Sequence, residues 1–412
     1  MKRLLARWAF SVLFLGLFCV PSAPAQLRTG ADVLLAERID LVQGKSVALI
    51  TNHTGLLSTG EPVVDALRKR GVRVVRLFGP EHGIRGMAAA GELVRDTLDP
   101  TSGIPVISLY GAINKPTPAM LADVELLLYD VQDVGARFYT YISTMALAME
   151  AAAERGIPFV VLDRPNPLGG LLIDGPILED SLKSFVGFAR LPIVYGLTCG
   201  ELALMLNGEG MLSNGIQADL TVVTMDGWQR LMRWSDTGRD WLPLSPNIRS
   251  AEAALIYPAT CLVEGTNVSE GRGTERPFLL IGAPFIDGRK LAAELSTLKL
   301  PGLAFAAAEF TPVASKHAGV GCQGVSIQVQ DPARLRPTAA GMRILATIQR
   351  MYPAEFQVRR KSFLRLIGSA EAYQVLTAGG DLDDLLARWQ IALEEFGNRA
   401  RRYWIYDKVV GK

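Results

Sequence analysis

Glu81 stands in Gly79-Pro80-Glu81-His82-Gly83, where proline and glycine fix the backbone around a carboxylic acid. A carboxyl group held at the end of an apolar strand sits where burial raises its proton affinity, which suits a general acid. The plainer role for it is an ion pair with Arg85. Two of the three histidines, His53 in Asn52-His53-Thr54-Gly55 and His82, occupy loops of this kind, and either also suits a single structural hydrogen bond. His317, in Ser315-Lys316-His317-Ala318-Gly319, forms a further polar island. Asp130 and Asp133 lie three apart and can reach one cleft, although Asp133 also suits the cap of a helix beginning near Ala136. Behind them, Arg137 stands beside Tyr139 and Tyr141. Aromatic faces stack on sugar rings and a planar guanidinium grips a carboxylate at two points; as core residues, the tyrosines need only a hydrogen-bond partner. Asp163-Arg164-Pro165-Asn166-Pro167 is another such loop. Glu264, Asn267, Glu270 and Arg272 follow on glycine-punctuated backbone, and glycines so close together in a charged loop imply a backbone reason.

These residues need elements to aim them. The first half of the chain alternates short apolar runs with helical stretches, which predicts a parallel sheet covered by helices. Strands are expected at 46–51, 72–78, 106–110, 126–129 and 159–162, with helices at 61–70, 118–121 and 143–155, the last closed by Gly156. Four of these strands run directly into the polar loops above, at the carboxyl ends where open α/β sheets place their ligands. Beyond Asp174 the chain becomes loop-rich, with a helix at 199–207 and a strand at 220–225. The block 245–278 reads as an ordered crossing segment. Helices at 291–298, 339–352 and 382–396 and a strand at 324–330 complete a second unit, and the boundary is placed near residue 250.

The N-terminus has the build of a cleavable secretory signal: Lys2, Arg3 and Arg7, an apolar stretch from Trp8 to Val20, then Ala23-Pro24-Ala25. The expected division is therefore 1–25 as signal, 26–250 as a first domain and 251–412 as a second. Loss of 1–25 removes three positive charges and turns the net charge of +2 into about −1, which argues against nucleic acid as the main partner. The apolar stretch is short for a membrane span, so no integral membrane association is expected after cleavage. Cys199, Cys261 and Cys322 are too few and too scattered for a disulfide framework, and buried free thiols are expected. Glycine-rich nucleotide-binding motifs and an esterase serine elbow are absent. A metal could be held only through carboxylates such as Asp130 and Asp133.

Taken together, Phe78-Gly79-Pro80-Glu81-His82-Gly83, Ser108-Leu109-Tyr110-Gly111, the run Asp130–Met145, Leu162–Gly170, Glu264–Thr274 and Ser315-Lys316-His317 resemble the exo-β-N-acetylmuramidases of the NamZ type, glycoside hydrolase family 171. The resemblance covers about residues 30 to 408. It implies a Rossmann-like first domain, a smaller α/β second domain and a cleft between them. It also implies release of N-acetylmuramic acid from non-reducing ends of peptidoglycan fragments, with no cofactor; the signal segment adds an expected location in the periplasm or outside the cell. Tyr195, where histidine is expected, and Val263, where phenylalanine is common, depart from the pattern and bear on fine substrate preference.

On this reading Glu81, which matches the family's proposed catalytic glutamate, protonates the glycosidic oxygen. A second carboxylate, Glu264 by preference and then Asp133 or Asp130, acts on the other face of the sugar. A separation of roughly 5 Å would favour a covalent intermediate and about 6.5–9.5 Å an inverting route. His82 would position Glu81 or bind a hydroxyl, and Arg137, then Arg272, would pair with the lactyl carboxylate. Other substrate contacts are expected from Asn52, His53, Arg85, Asp130, Tyr139, Tyr141, Asp163, Arg164, Asn166, Asn267, Glu270 and His317. Two other classes of answer are a periplasmic module that binds muropeptides without cutting them and a carboxylate-metal hydrolase.

Overall fold

The computed structural model describes residues 27–406 apart from 90 and 94, so the expected signal segment lies outside the described residues. Seven strands form the first sheet: β1 (Ser46–Thr51), β2 (Arg73–Gly79), β3 (Thr97–Leu98), β4 (Pro105–Ser108), β5 (Leu126–Asp130), β6 (Phe159–Leu162) and β7 (Leu220–Val223). Their order is β3-β4-β2-β1-β5-β6-β7, parallel throughout except for the β3–β4 pair at one edge. This is the mostly parallel α/β architecture that the alternating pattern predicts.

Side chains alternate across a strand, and β1 is apolar at every position from Val47 to Ile50 because both faces are covered. Ala48 and Ile50 join a core under the helices Tyr141–Arg155 and Cys199–Gly208, together with Met145 and Leu202. Val47 and Leu49 face the other way, onto Leu34 and Leu67 of the helices Gly30–Glu37 and Val63–Lys69. The long helix ends at Gly156 with φ 62°, the left-handed conformation glycine adopts without a steric penalty. Successive connections leave β1 toward β2 on one side and reach β5 on the other, so a crevice opens beyond the carboxyl ends of β1 and β5.

A smaller antiparallel sheet follows: β8 (Leu280–Ala283), β9 (Leu303–Phe310) and β10 (Cys322–Val329), in the order β8-β10-β9. The helix Gly288–Thr297 packs on it, Pro337–Met351 packs against that helix, and Arg360–Ile367, Ala370–Ala378 and Leu382–Ala400 complete this half. One apolar cluster runs from Ile50 and Tyr129 through Tyr257 and Phe278 to Ile281 and Val325, so the two halves share a core. The chain then returns to the first sheet, where the Tyr406 hydroxyl donates to Asp163 at 2.6 Å and accepts from the Met225 amide at 2.9 Å.

Several elements differ from the sequence-based expectations. The block 245–278 holds a helix, Ala251–Thr260, that Pro258 in its last turn disguises. The alanine-rich run of β9 has helical composition, yet it is a strand because it pairs with β10 along its whole length. The helix expected near Ala136 begins at Tyr141, and Asp133 caps nothing; its carboxylate accepts from the Gly135 amide in a local turn. Cys199, Cys261 and Cys322 are free and buried. Among the described residues no helix is long and apolar enough to cross a membrane.

Candidate active site

β2 ends at Gly79, and the turn after it throws Glu81 sideways. His82 sits at φ 71°, a left-handed conformation that costs a non-glycine residue on the order of 1–3 kcal/mol and persists only where its surroundings impose it. Here the constraint is a 2.7 Å hydrogen bond between His82 Nδ1 and the Ala88 carbonyl. A carbonyl only accepts, so Nδ1 carries the proton. Glu81 Oε2 accepts from the Thr140 hydroxyl at 2.6 Å and Oε1 from the Gly91 amide at 3.2 Å. Thr140 directly precedes the helix Tyr141–Arg155, where a threonine usually caps the helix; its hydroxyl is given to Glu81 instead. Tyr110, beyond β4, lies against the same carboxylate. Burial first, then the charge and hydrogen bond of Glu81, push its phenol up to about 12, so it remains a donor.

The facing wall comes from the second half of the chain. The helix Ala251–Thr260 runs into the tight turn Cys261–Gly265, which presents Glu264. Arg272 Nη2 lies 2.8 Å from Glu264 Oε1, with its guanidinium 5.3 Å from the Phe278 ring centroid. Glu270, almost fully buried, holds Lys316 at 2.8 Å and lies 3.7 Å from Arg272 Nε. Burial pushes the Glu264 carboxyl up against the pull of Arg272. The glycines of this loop do have a backbone reason: Gly273 is at φ 80°, and a Cβ there would meet the Ala314 amide nitrogen at 2.5 Å.

Glu81, His82, Tyr139, Thr140, Glu264 and Arg272 line one hollow of about 130 Å³, floored by Phe138, Tyr257 and Phe278 and edged by Ser245 and Asn247. The larger depression of about 1050 Å³ between residues 183–190, 210–215 and 395–399 holds a single carboxylate, Glu395, and lacks such a pair. Thr140, Tyr110, Ser245 and Tyr257 belong to the hollow and were not singled out from the sequence. Tyr110 and Thr140 do fall inside the motifs that carry the resemblance, which was the available signal.

Other residues expected at the site are placed elsewhere. Arg137 is wholly buried, and its terminal nitrogens donate to the carbonyls of Pro176, Leu191, Leu366 and Ile367, which corrects its assignment to a substrate carboxylate. Asp130 is spent on Arg164 in a buried two-point pair, at 2.6 and 2.9 Å, so neither projects into this hollow. Asp133 is buried against the Tyr195 hydroxyl and does not line it. Asp163 takes the hydroxyls of Thr198 and Tyr406, Asn166 binds the Leu197 carbonyl, and the Tyr141 hydroxyl donates to Leu244. Asn267 ties to Glu355 and Gln357, and His317 Nε2 bonds the Asn267 carbonyl at 2.7 Å. Asn52, His53 and Arg85 line a neighbouring cavity of about 310 Å³. Among the described residues, no group of three or more His, Cys, Asp or Glu is arranged to hold a metal ion.

Residues 47–252 match the family model described as exo-β-N-acetylmuramidase NamZ, N-terminal, and residues 255–406 match its C-terminal counterpart. The chain belongs to the NamZ exo-β-N-acetylmuramidase family. Among NamZ-family relatives, the peptidoglycan β-N-acetylmuramidase NamZ of Bacillus subtilis (strain 168) is 45% identical over 383 residues, 92% of each chain. Two solved structures of DUF1343 family proteins from Bacteroides fragilis NCTC 9343 share the fold. One superposes with a TM-score of 0.87 at 38% identity and the other with 0.75 at 31%. Each comparison covers 93% of this chain and 99% of the other.

Proposed function

We infer that the hollow between Glu81 and Glu264 is where a terminal N-acetylmuramic acid residue is cut from a peptidoglycan fragment. The chain is an exo-acting glycoside hydrolase of muramic-acid-type peptidoglycan substrates. One observation carries the assignment of roles: two carboxylates from opposite halves of the chain line the same small hollow, each held by its own donors.

Glu81 transfers its proton to the glycosidic oxygen as the bond from that oxygen to the anomeric carbon breaks. Thr140, Tyr110 and the Gly91 amide all point donors at this carboxylate. They stabilise the charge that appears on it as the proton leaves, which favours transfer. Glu264 acts on the opposite face of the ring. Burial raises its proton affinity and Arg272 opposes that while fixing its direction, so that once ionised it suits either deprotonation of a water or attack on the anomeric carbon. Arg272, a guanidinium lining the hollow, is the cation placed to meet the lactyl carboxylate, since Arg137 is committed to carbonyls. The basic N-terminus, apolar stretch and Ala-Pro-Ala support export by cleavage after Ala25, and division near residue 250 places one carboxylate in each domain.

The decisive measurement is release from a chromogenic N-acetylmuraminide by the wild type and by Glu81→Gln. A loss of about a hundredfold or more in kcat is expected for a missing general acid. Turnover by neither would favour a binding module, and turnover lost on addition of a chelator would favour a metal hydrolase.

A further inference from the structure

The crevice beyond the carboxyl ends of β1 and β5, where open α/β sheets place their ligands, is not the catalytic hollow. It is occupied by a separate cavity of about 330 Å³, lined among others by Gln132, Arg164, Trp234, Arg239, Trp241 and Leu244. That volume falls in the range of about 300–1,000 Å³ usual for small-molecule sites.

Its charged lining is two guanidiniums, Arg164 and Arg239, and one carboxylate, the exposed Asp240. The guanidiniums of Arg164 and Arg239 converge on the Leu56 carbonyl, at 3.1 and 3.4 Å, and Arg239 also reaches the Leu57 carbonyl at 3.4 Å. Arg164 is hydrogen-bonded to its carboxylate, Asp130, whereas Arg239 has only a loose ion pair, with Nη1 4.0 Å from Asp32 and buried without a hydrogen-bond partner. Asp32 already accepts from the amides and hydroxyls of Thr29 and Ser58. The indole N–H of Trp234, a residue only 8% exposed, is likewise buried without a partner. Burial and the nearby Arg164 charge pull the Arg239 guanidinium down. Two unanswered donors, one of them cationic, suit a ligand that brings acceptor oxygens. The edge-to-face pair of Trp234 and Trp241, with centroids 5.0 Å apart, supplies the apolar faces on which a sugar ring lies.

We propose that this crevice is a second binding site, for a carboxylate-bearing monosaccharide whose carboxylate lies between Arg239 and the Trp234 indole N–H. The choice of sugar rests on the functional reading above, because the released N-acetylmuramic acid is a sugar acid of this kind; the unanswered donors do not depend on it. The site is coupled to the catalytic hollow by the segment between them. The Trp241 indole donates to the Ile248 carbonyl at 3.3 Å, and Leu244 accepts from the hydroxyls of both Tyr139 and Tyr141.

Indole proton NMR of the purified protein tests this, with the Trp234 signal identified by its loss in Trp234→Phe. N-acetylmuramic acid should move that signal saturably, and N-acetylglucosamine, which lacks the carboxylate, should leave it in place. Arg239→Gln should raise the midpoint about tenfold, as expected for a lost charge-assisted hydrogen bond. A Trp234 signal that stays still with the acid, moves equally with the neutral sugar, or titrates unchanged in Arg239→Gln overturns the proposal. Where Arg239→Gln fails to fold, Arg239→Lys, which lacks the planar fork, takes its place, and an unchanged midpoint there is equally fatal. Glu81→Gln should abolish turnover and leave the Trp234 titration as it is, so this inference and the catalytic reading fail separately.

Discussion

Thr140 gives the sharpest test at the level of single residues. Thr140→Val keeps the shape and removes one donor from Glu81, so kcat should fall about tenfold or more, the usual worth of a charge-assisted hydrogen bond, with the thermal midpoint little changed. Arg272 acts through charge. Glu264 must be ionised to serve as base or nucleophile, and Arg272 opposes the upward push of burial on its proton affinity. Arg272→Gln therefore leaves Glu264 protonated to higher pH, and the acidic limb of the kcat profile should move upward; a limb that stays in place would detach Glu264 from the reaction. Arg137→Ala should behave differently, lowering stability by about 3 kcal/mol or more through four carbonyls left unpaired, without changing the preference for muramic over glucosaminic substrates. The sequence made Glu81, Glu264 and Arg272 legible because glycine and proline frame them. It could not separate them from Arg137, Asp130 or Asp163, since a buried ion pair and a catalytic one use the same residue types. Only the surrounding carbonyls and hydroxyls, which have no sequence signature, distinguish the two.

Among the elements, loops matter more than strands. The parallel strands of the first sheet could be read from apolar runs because both their faces are buried, whereas β8 and β9 could not: one is short and the other is built largely of alanine. Register, not composition, makes β9 a strand. The loop 269–276 is the element on which the second wall of the hollow depends. Gly273→Ala should force it away from Ala314, because the new Cβ has 2.5 Å of space and a disfavoured φ. The expected result is a loss of about 1–3 kcal/mol in urea unfolding together with weakened turnover, since Arg272 is carried on the displaced segment.

For the whole molecule, three buried carboxyls contribute to the response to pH. Burial raises Asp133, Asp163 and Asp174 from 3.8 to about 6 in the folded protein. Between those values the native state holds protons that the unfolded chain has released, so their contribution to stability is largest at low pH and is lost as pH rises through about 6. The thermal midpoint should be higher near pH 5 than near pH 8, and Asp133→Asn should flatten that difference. Asp174 accepts from the amide of Thr338 at the start of the helix Pro337–Met351, which ties the first half of the chain to the second.

The return of the chain to Asp163 has a consequence for the order of events in the life of the polypeptide. Strands β6 and β7 are made early, but a hydroxyl that completes their surroundings belongs to Tyr406, 243 residues beyond Asp163. Until the stretch that carries Tyr406 has been made, Asp163 lacks that donor, so a partly synthesised chain leaves a buried carboxylate at the end of β6 one partner short.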